Sequence, residues 1–150
     1  MAFLLDTNLL VRLSDPLSPL QPVAQQAIER LLQRGEILYL TTQNLIEFWA
    51  VATRPMEANG LDWNLVEAQS RIESLARQFA ILDDNAEIRP HWIDLVTTCG
   101  IRGKKVHDAR LVAVMKAHGV THLLTFNVED FKLFTFIIVL HPNDILATAS

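Results

Sequence analysis

The chain lacks most of what marks secreted, membrane-spanning or charge-clamping proteins. It has one cysteine, Cys99, so no disulfide can close within it and a reducing compartment fits. Buried structural cysteine is the commoner state, so Cys99 is expected to be packed rather than nucleophilic. No apolar run approaches the roughly 18 residues of a membrane span. The longest near the end, Phe136 to Leu140, has the length of a strand. The opening MAFLLDTNLL is short and broken at Asp6, which argues against a signal peptide. Repeats, low-complexity segments and Gly/Ser linkers are missing. So is a basic excess: 13 Lys and Arg stand against 17 Asp and Glu, a formal net charge of −4. A protein that grips nucleic acid by charge alone is normally basic, so the balance argues against that class. An enzyme whose acids carry a cation is not excluded, because the ion belongs in the count. These absences together lead us to expect a soluble, cytoplasmic protein.

What is present is 150 residues, half of them hydrophobic and 20% charged. That length supports a core without disulfides or a structural metal and leads us to expect one domain over residues 1–150. The apolar surplus has two readings, a large well-filled core or apolar surface covered by a partner.

Short apolar runs alternate with longer helical ones, which predicts an α/β fold with a mostly parallel central sheet of about five strands. Ala2 to Leu5 reads as a buried strand ending at Asp6, and Thr7 to Leu13 as a helix broken by Asp15-Pro16. Pro22 opens a second helix and Gly35 stops it. Ile37 to Leu40 is a strand, and Thr42 is the expected cap of an apolar helix ending at Arg54-Pro55. Asn59-Gly60 is a turn, Asp62 the expected cap of a helix over residues 63–78, and Phe79 to Leu82 a strand. Asp84 or Asn85 caps a helix to about Cys99. A basic loop follows, then a helix over His107 to His118, stopped by Gly119. His122 to Thr125 and Phe136 to Val139 are the last strands, with a short turn at Val128 to Phe131 between them and a terminal helix at Pro142 to Ala147.

In such sheets ligands gather beyond the carboxyl ends of the strands. Asp6, Glu47, Asp108 and the Thr125 to Asp130 segment all fall just past a strand or early in a helix. A lone Asp at a strand end is ordinarily a cap, and Asp108 alone would be a helix-start acid. Several acids at one sheet edge form a pattern. Asp6 follows four apolar residues, so its carboxylate must be paired, hydrogen-bonded or metal-bound. Glu47 lies between Ile46 and Phe48 in an apolar helix. The bland alternative is a pairing of Glu47 with Arg54 or Arg12. Clustered carboxylates raise each other's pKa, and hard cations such as Mg²⁺ or Mn²⁺ relieve this.

Other features point elsewhere less well. GIRGKK at residues 100–105 fails the spacing G-x-x-x-x-G-K-[ST] and has no preceding strand. Its Arg102, Lys104 and Lys105 are either a phosphate-holding group beside Asp108 or a solvated loop. His118 and His122 are split by Gly119, against a zinc pair on one helix face. His107 is either a hydrogen-bond donor behind Asp108 or a helix-start residue. Trp49, Trp63 and Trp92 fall in helical patterns that favour packing over base stacking.

The segments FLLDTNLLV, LTTQNLIEFWAVATRP, KVHDARLVAVMKAHGV and HLLTFNVEDF resemble the successive motifs of the PIN-domain nucleases, and more narrowly the VapC-type toxins of prokaryotic toxin–antitoxin pairs. The resemblance runs from about residue 1 to residue 144. Each motif alone is weak, whereas four in order at family-like spacing are strong. The resemblance implies a three-layer α/β/α fold, Mg²⁺- or Mn²⁺-dependent endoribonuclease activity on RNA, an inhibiting antitoxin and frequent homodimers. It implies Asp6, Glu47 and Asp108 as catalytic acids and metal ligands. Thr7, Asn8 and Thr125 match the polar residues that support them. The fourth acidic position stays open: Asn127 stands where many relatives place Asp, and Asp130 follows three residues later. Asn127 also motivates a different class, a catalytically weak RNA-binding or protein-docking domain. An Asp-nucleophile phosphatase built on Asp6 is a remote third, because the second Asp it needs two residues on is Asn8.

Overall fold

The computed structural model describes residues 1–148. Five short strands form one all-parallel sheet: β1 (Ala2–Leu5), β2 (Ile37–Thr41), β3 (Ala80–Leu82), β4 (His122–Leu124) and β5 (Ile138–Leu140), in the order β3-β2-β1-β4-β5. Seven helices connect them: α1 (Thr7–Ser14), α2 (Gln21–Gln33), α3 (Thr42–Thr53), α4 (Leu65–Gln78), α5 (Ile88–Thr98), α6 (Lys105–His118) and α7 (Pro142–Ala147). The chain winds from β1 through β2 to β3 on one side, then returns to β4 and β5 on the other. The topological switch therefore lies between β1 and β4, where open α/β sheets form their ligand crevice.

Alternation along the strands divides the core in two, since successive side chains point to opposite faces. Phe3, Leu5, Leu38, Leu40 and Leu124 pack with α1–α4 and α7 on one face. Leu4, Leu82 and Leu123 pack with α5 and α6 on the other. This is the three-layer α/β/α architecture. Trp49 and Trp63 pack against the first core and Trp92 against the second. The apolar surplus is spent both inside and outside: besides this filled core, Leu17, Ile46, Leu65 and Val66 are well exposed. No helix among the described residues is long and apolar enough to cross a membrane.

Several local expectations shift. Thr41, not Thr42, caps α3: it is still extended, and its hydroxyl accepts from the Asn44 N–H at 3.0 Å while the Asn44 side chain accepts from the Thr41 N–H. Asn64, not Asp62, caps α4, accepting from the Glu67 N–H at 2.8 Å. Asp62 instead holds a left-handed backbone, φ 56°. Asn85 accepts from the Glu87 N–H one turn before α5, so it caps the approach rather than the helix. α6 begins at Lys105, two residues early, and ends at the left-handed Gly119 as expected. β5 begins at Ile138, because Phe136 lies in the preceding turn under the Lys116 ammonium. Cys99 is exposed, not packed, because it sits at the C-cap of α5 rather than within its apolar face.

After α3 the chain turns back through Asn59 (φ 62°) and Gly60. A Cβ on Gly60 would lie 2.0 Å from the Arg54 carbonyl oxygen, a backbone atom that cannot rotate away. Gly60→Ala should therefore cost ~2 kcal/mol or more in urea unfolding. An unchanged midpoint would mean the turn opens freely.

Candidate functional site

Asp6 is the first residue past the central strand, at the switch point. Its backbone N–H still donates to Leu124 O of β4 at 3.0 Å, so the sheet itself fixes its position. Its side chain caps α1: Oδ1 accepts from the Thr7 N–H at 2.8 Å. Oδ2 accepts from the Thr125 hydroxyl at 2.8 Å and from Asn8 Nδ2 at 3.1 Å. Thr125, just past β4, is fully buried. Its hydroxyl in turn accepts from Asn8 Nδ2 at 3.1 Å and the Asn127 N–H at 3.0 Å. Asn8 Oδ1 accepts from the Phe126 N–H at 3.1 Å. Thr7, Asn8 and Thr125 thus lock one carboxylate in a single orientation.

Glu47 projects from α3 toward the same edge. Its carboxylate accepts from the Thr7 hydroxyl at 2.8 Å and from Gln43 Nε2 at 3.3 Å. It therefore rests on amide and hydroxyl groups, rather than on Arg54 or Arg12. Asp108 sits in the first turn of α6, half-buried. Gln43 ties that helix to α3: its Nε2 also donates to His107 O at 2.7 Å, and its Oε1 accepts from Arg110 Nη1 at 3.1 Å. Arg110 is paired with Asp84 at 3.2 Å. The Thr7 hydroxyl accepts from the buried Asn44 amide at 3.0 Å.

Asp6, Glu47, Asp108, Asn127 and Asp130 line one cavity of about 330 Å³. Glu47, Asp108 and Asp130 continue into a larger groove of about 960 Å³, whose walls include Lys104, Lys105 and Arg110. Arg102 does not line either. Four carboxylates from four separate segments thus face one space. The consequence is electrostatic. Burial raises the Asp6 carboxyl from 3.8 to about 6; the hydrogen bonds from Thr125 and Thr7 oppose this, and the charges of Asp108 and Glu47 add to it. Asp108 is also raised to about 6, by burial and then by the charges of Asp130 and Glu47, against the pull of Lys105 and His107. Asp130 is therefore a real electrostatic neighbour of Asp108. Asn127 shares the smaller cavity but brings no charge.

The donor set is all hard oxygen, which suits Mg²⁺ or Mn²⁺. Among the described residues no three His, Cys, Asp or Glu side chains form a group close enough to hold an ion directly. Mg²⁺ retains several waters and takes one or two carboxylates together with substrate phosphates, so an open cluster of this kind fits it. His118 and His122 serve other partners: His118 Nε2 contacts Asp83 O at 2.7 Å, and the buried His122 bonds Thr121 and lies against Phe3.

Sequence reasoning missed Gln43, Asn44, Arg110 and Asp84. One signal for the first two was available: consecutive amides opening an otherwise apolar helix need buried partners. For Arg110 and Asp84 there was no local signal.

No curated protein sequence matches the chain significantly. Among solved structures it is similar to VapBC2 of Rickettsia felis bound to a promoter DNA fragment, with 19% identity over 94% of this chain and 98% of that one, TM-score 0.72. It is also similar to VapBC-1 of nontypeable Haemophilus influenzae, with 19% identity, 95% and 99% coverage, TM-score 0.69. A third likeness is to VapC20 of Mycobacterium tuberculosis, a sarcin–ricin-loop-cleaving toxin, with 16% identity, 90% and 96% coverage, TM-score 0.62. At such identities the likeness is one of fold. The family model described as PIN domain matches residues 3–136, from β1 almost to β5, and the chain belongs to the PIN domain family.

Proposed function

We propose that the chain is a Mg²⁺- or Mn²⁺-dependent endoribonuclease and the toxin of a toxin–antitoxin pair. The observation that carries this reading is the meeting of Asp6, Glu47, Asp108 and Asp130 around one cavity, with Asp6 and Asp108 both raised to about 6 in part by the other acids. A protein gains nothing in stability from such repulsion, so perturbed acids in a cleft point to function. Asp6, Glu47 and Asp108 would hold the ion, in part through its bound waters because the three lie too far apart to ligate it together directly, with Asp130 as the fourth carboxylate at the rim. When bound, the ion supplies a water of lowered pKa and neutralises charge on the phosphoryl and leaving oxygens.

The chain's own residues do the rest. Thr125, Asn8 and the Thr7 N–H hold Asp6 with both oxygens oriented. Thr7 and Gln43 hold Glu47. Lys104, Lys105 and Arg110 line the groove where the RNA phosphates would run. Asp130, exposed at the cavity rim, would add its negative charge beside Asp108. The antitoxin and homodimer are proposed from the company the fold keeps: two of the similar structures are named as VapBC assemblies. We propose a cytoplasmic location on the same ground.

The test is RNA cleavage by chelator-treated protein, with and without added Mg²⁺ or Mn²⁺. Cleavage should appear only with the ion. Equal cleavage in EDTA would sink the metal-dependent reading. Asn127, which lines the cavity without a charge, supports one other reading, an RNA-binding or docking domain with weak catalysis. Calorimetric titration with Mn²⁺ separates the two, because that domain need not bind the ion.

A further inference from the structure

We propose that a second cavity, beside the acids, is a nucleobase subsite that seats the RNA base next to the cleaved bond; this rests on the endoribonuclease reading. The cavity, about 400 Å³, lies between α5 and the start of α6. Ile88, Trp92 and Val106 form its apolar lining, and Arg89, His107 and Arg110 bring nitrogen donors. Its size falls in the range of small-ligand clefts, roughly 300–1,000 Å³.

Three features select a nucleobase over other occupants. First, the Trp92 indole is already anchored: its N–H donates to Val106 O at 2.8 Å. With its polar edge satisfied, the half-buried ring offers the cavity apolar π-surface, in an orientation set before any ligand arrives. Base–aromatic stacking uses such a surface and tolerates any base. Second, Arg89 is exposed and Arg110 partly so. A guanidinium stacks on planar rings and pairs with phosphate, which fits a base carried on a ribose phosphate better than an aliphatic side chain. Third, the cavity adjoins the acidic groove. Asp84, His107 and Arg110 line both, and His107 is next to Asp108 in the chain. The Asp84–Arg110 pair, with Gln43 behind Arg110, holds a guanidinium at the boundary between the two spaces. A strand whose phosphate lies by Asp108 would therefore have a neighbouring base within reach of Trp92.

The experiment has a binding arm and a cleavage arm. For binding, each of the four nucleoside 5′-monophosphates is titrated in EDTA while indole fluorescence is followed. At least one should quench saturably, Trp92→Phe should abolish the quenching, and Arg89→Ala should weaken it about fivefold or more. Trp49 and Trp63 pack on the opposite face of the sheet, so they should not report. No saturable quenching, or quenching that survives in Trp92→Phe, overturns the subsite.

For cleavage, each nucleotide flanking the cut in a short RNA is replaced in turn by an abasic ribose. One replacement should lower kcat/KM about tenfold or more in the wild type and cost nothing further in Trp92→Leu, with Trp92→Phe restoring most of the effect. An abasic penalty equal in wild type and Trp92→Leu overturns the proposal. Should Trp92→Leu not fold, the same comparison is made with Arg89→Ala on the exposed rim. Monophosphate binding without any RNA cleavage would sink the endoribonuclease reading while leaving a nucleotide site standing.

Discussion

Replacing Asp6 or Asp108 by Asn is expected to lower ion-dependent RNA cleavage by about a thousandfold or more, ~4 kcal/mol of transition-state stabilisation. Each change keeps the size of the side chain and removes one of four charges facing the cavity. At Asp6 the damage is double. Both of its oxygens accept hydrogen bonds, from Thr7, Asn8 and Thr125. An amide must turn its NH₂ toward a donor, so the side chain loses its fixed orientation together with its charge. At Asp108 the loss is of charge alone, because no hydrogen bond from the described residues contributes to its raised pKa. Cleavage of a labelled RNA at saturating Mn²⁺ measures the effect, with circular dichroism to show that both variants fold. Either variant keeping a tenth of wild-type activity would remove that residue from the ion-holding set.

The second expectation concerns stability and has the opposite sign. Asp108→Asn should make the ion-free protein more stable at pH 8, by ~2 kcal/mol once the shift is discounted for the solvent screening of a half-buried group. Burial, with the charges of Asp130 and Glu47 added, pushes the folded carboxyl from its ordinary 3.8 up to about 6. Between pH 4 and 6 the folded chain therefore binds more protons than the unfolded chain, and stability falls as pH rises through that window. Above it the full penalty persists. Asn carries no charge, so it escapes the penalty, and its pH dependence should be flatter from pH 4 to 8. Asp6 is raised to about 6 as well, but there Asn breaks a hydrogen-bond set, which offsets the gain. Urea unfolding in EDTA at pH 4.5 and pH 8 is the measurement. An Asp108→Asn protein less stable than wild type at pH 8 would contradict the repulsion. Added Mn²⁺ should stabilise the wild type more than the variant, because the ion binds the ionised acids.

These two results test different layers of what was legible. The run Ala2 to Leu5 followed by Asp6 announced both a buried strand and an acid at its end, because strand burial is written in consecutive residues. The strand-and-helix reading set Glu47 and Asp108 at the same edge, early in their helices, and the structure brings them to one cavity. The open question between Asn127 and Asp130 was not readable, since both sit in one short turn. Only the fold shows that Asp130 acts electrostatically on Asp108. Helix caps were missed by one or two residues, at Thr41 and Asn64, because a cap depends on where the strand or turn before it releases the backbone.

By itself, then, the sequence determined the alternation of strands and helices, the parallel sheet and the three acids at its edge. Periodicity and strand-end placement are local, and short-range sterics and burial enforce them. The tertiary structure alone decided what holds those acids. Thr125 reaches Asp6 across 119 residues, Thr7 reaches Glu47 across 40, and Arg110 reaches Gln43 across 67. Hydrogen bonds of that separation exist only once the chain has folded around the sheet edge, and so do the raised carboxyls of Asp6 and Asp108.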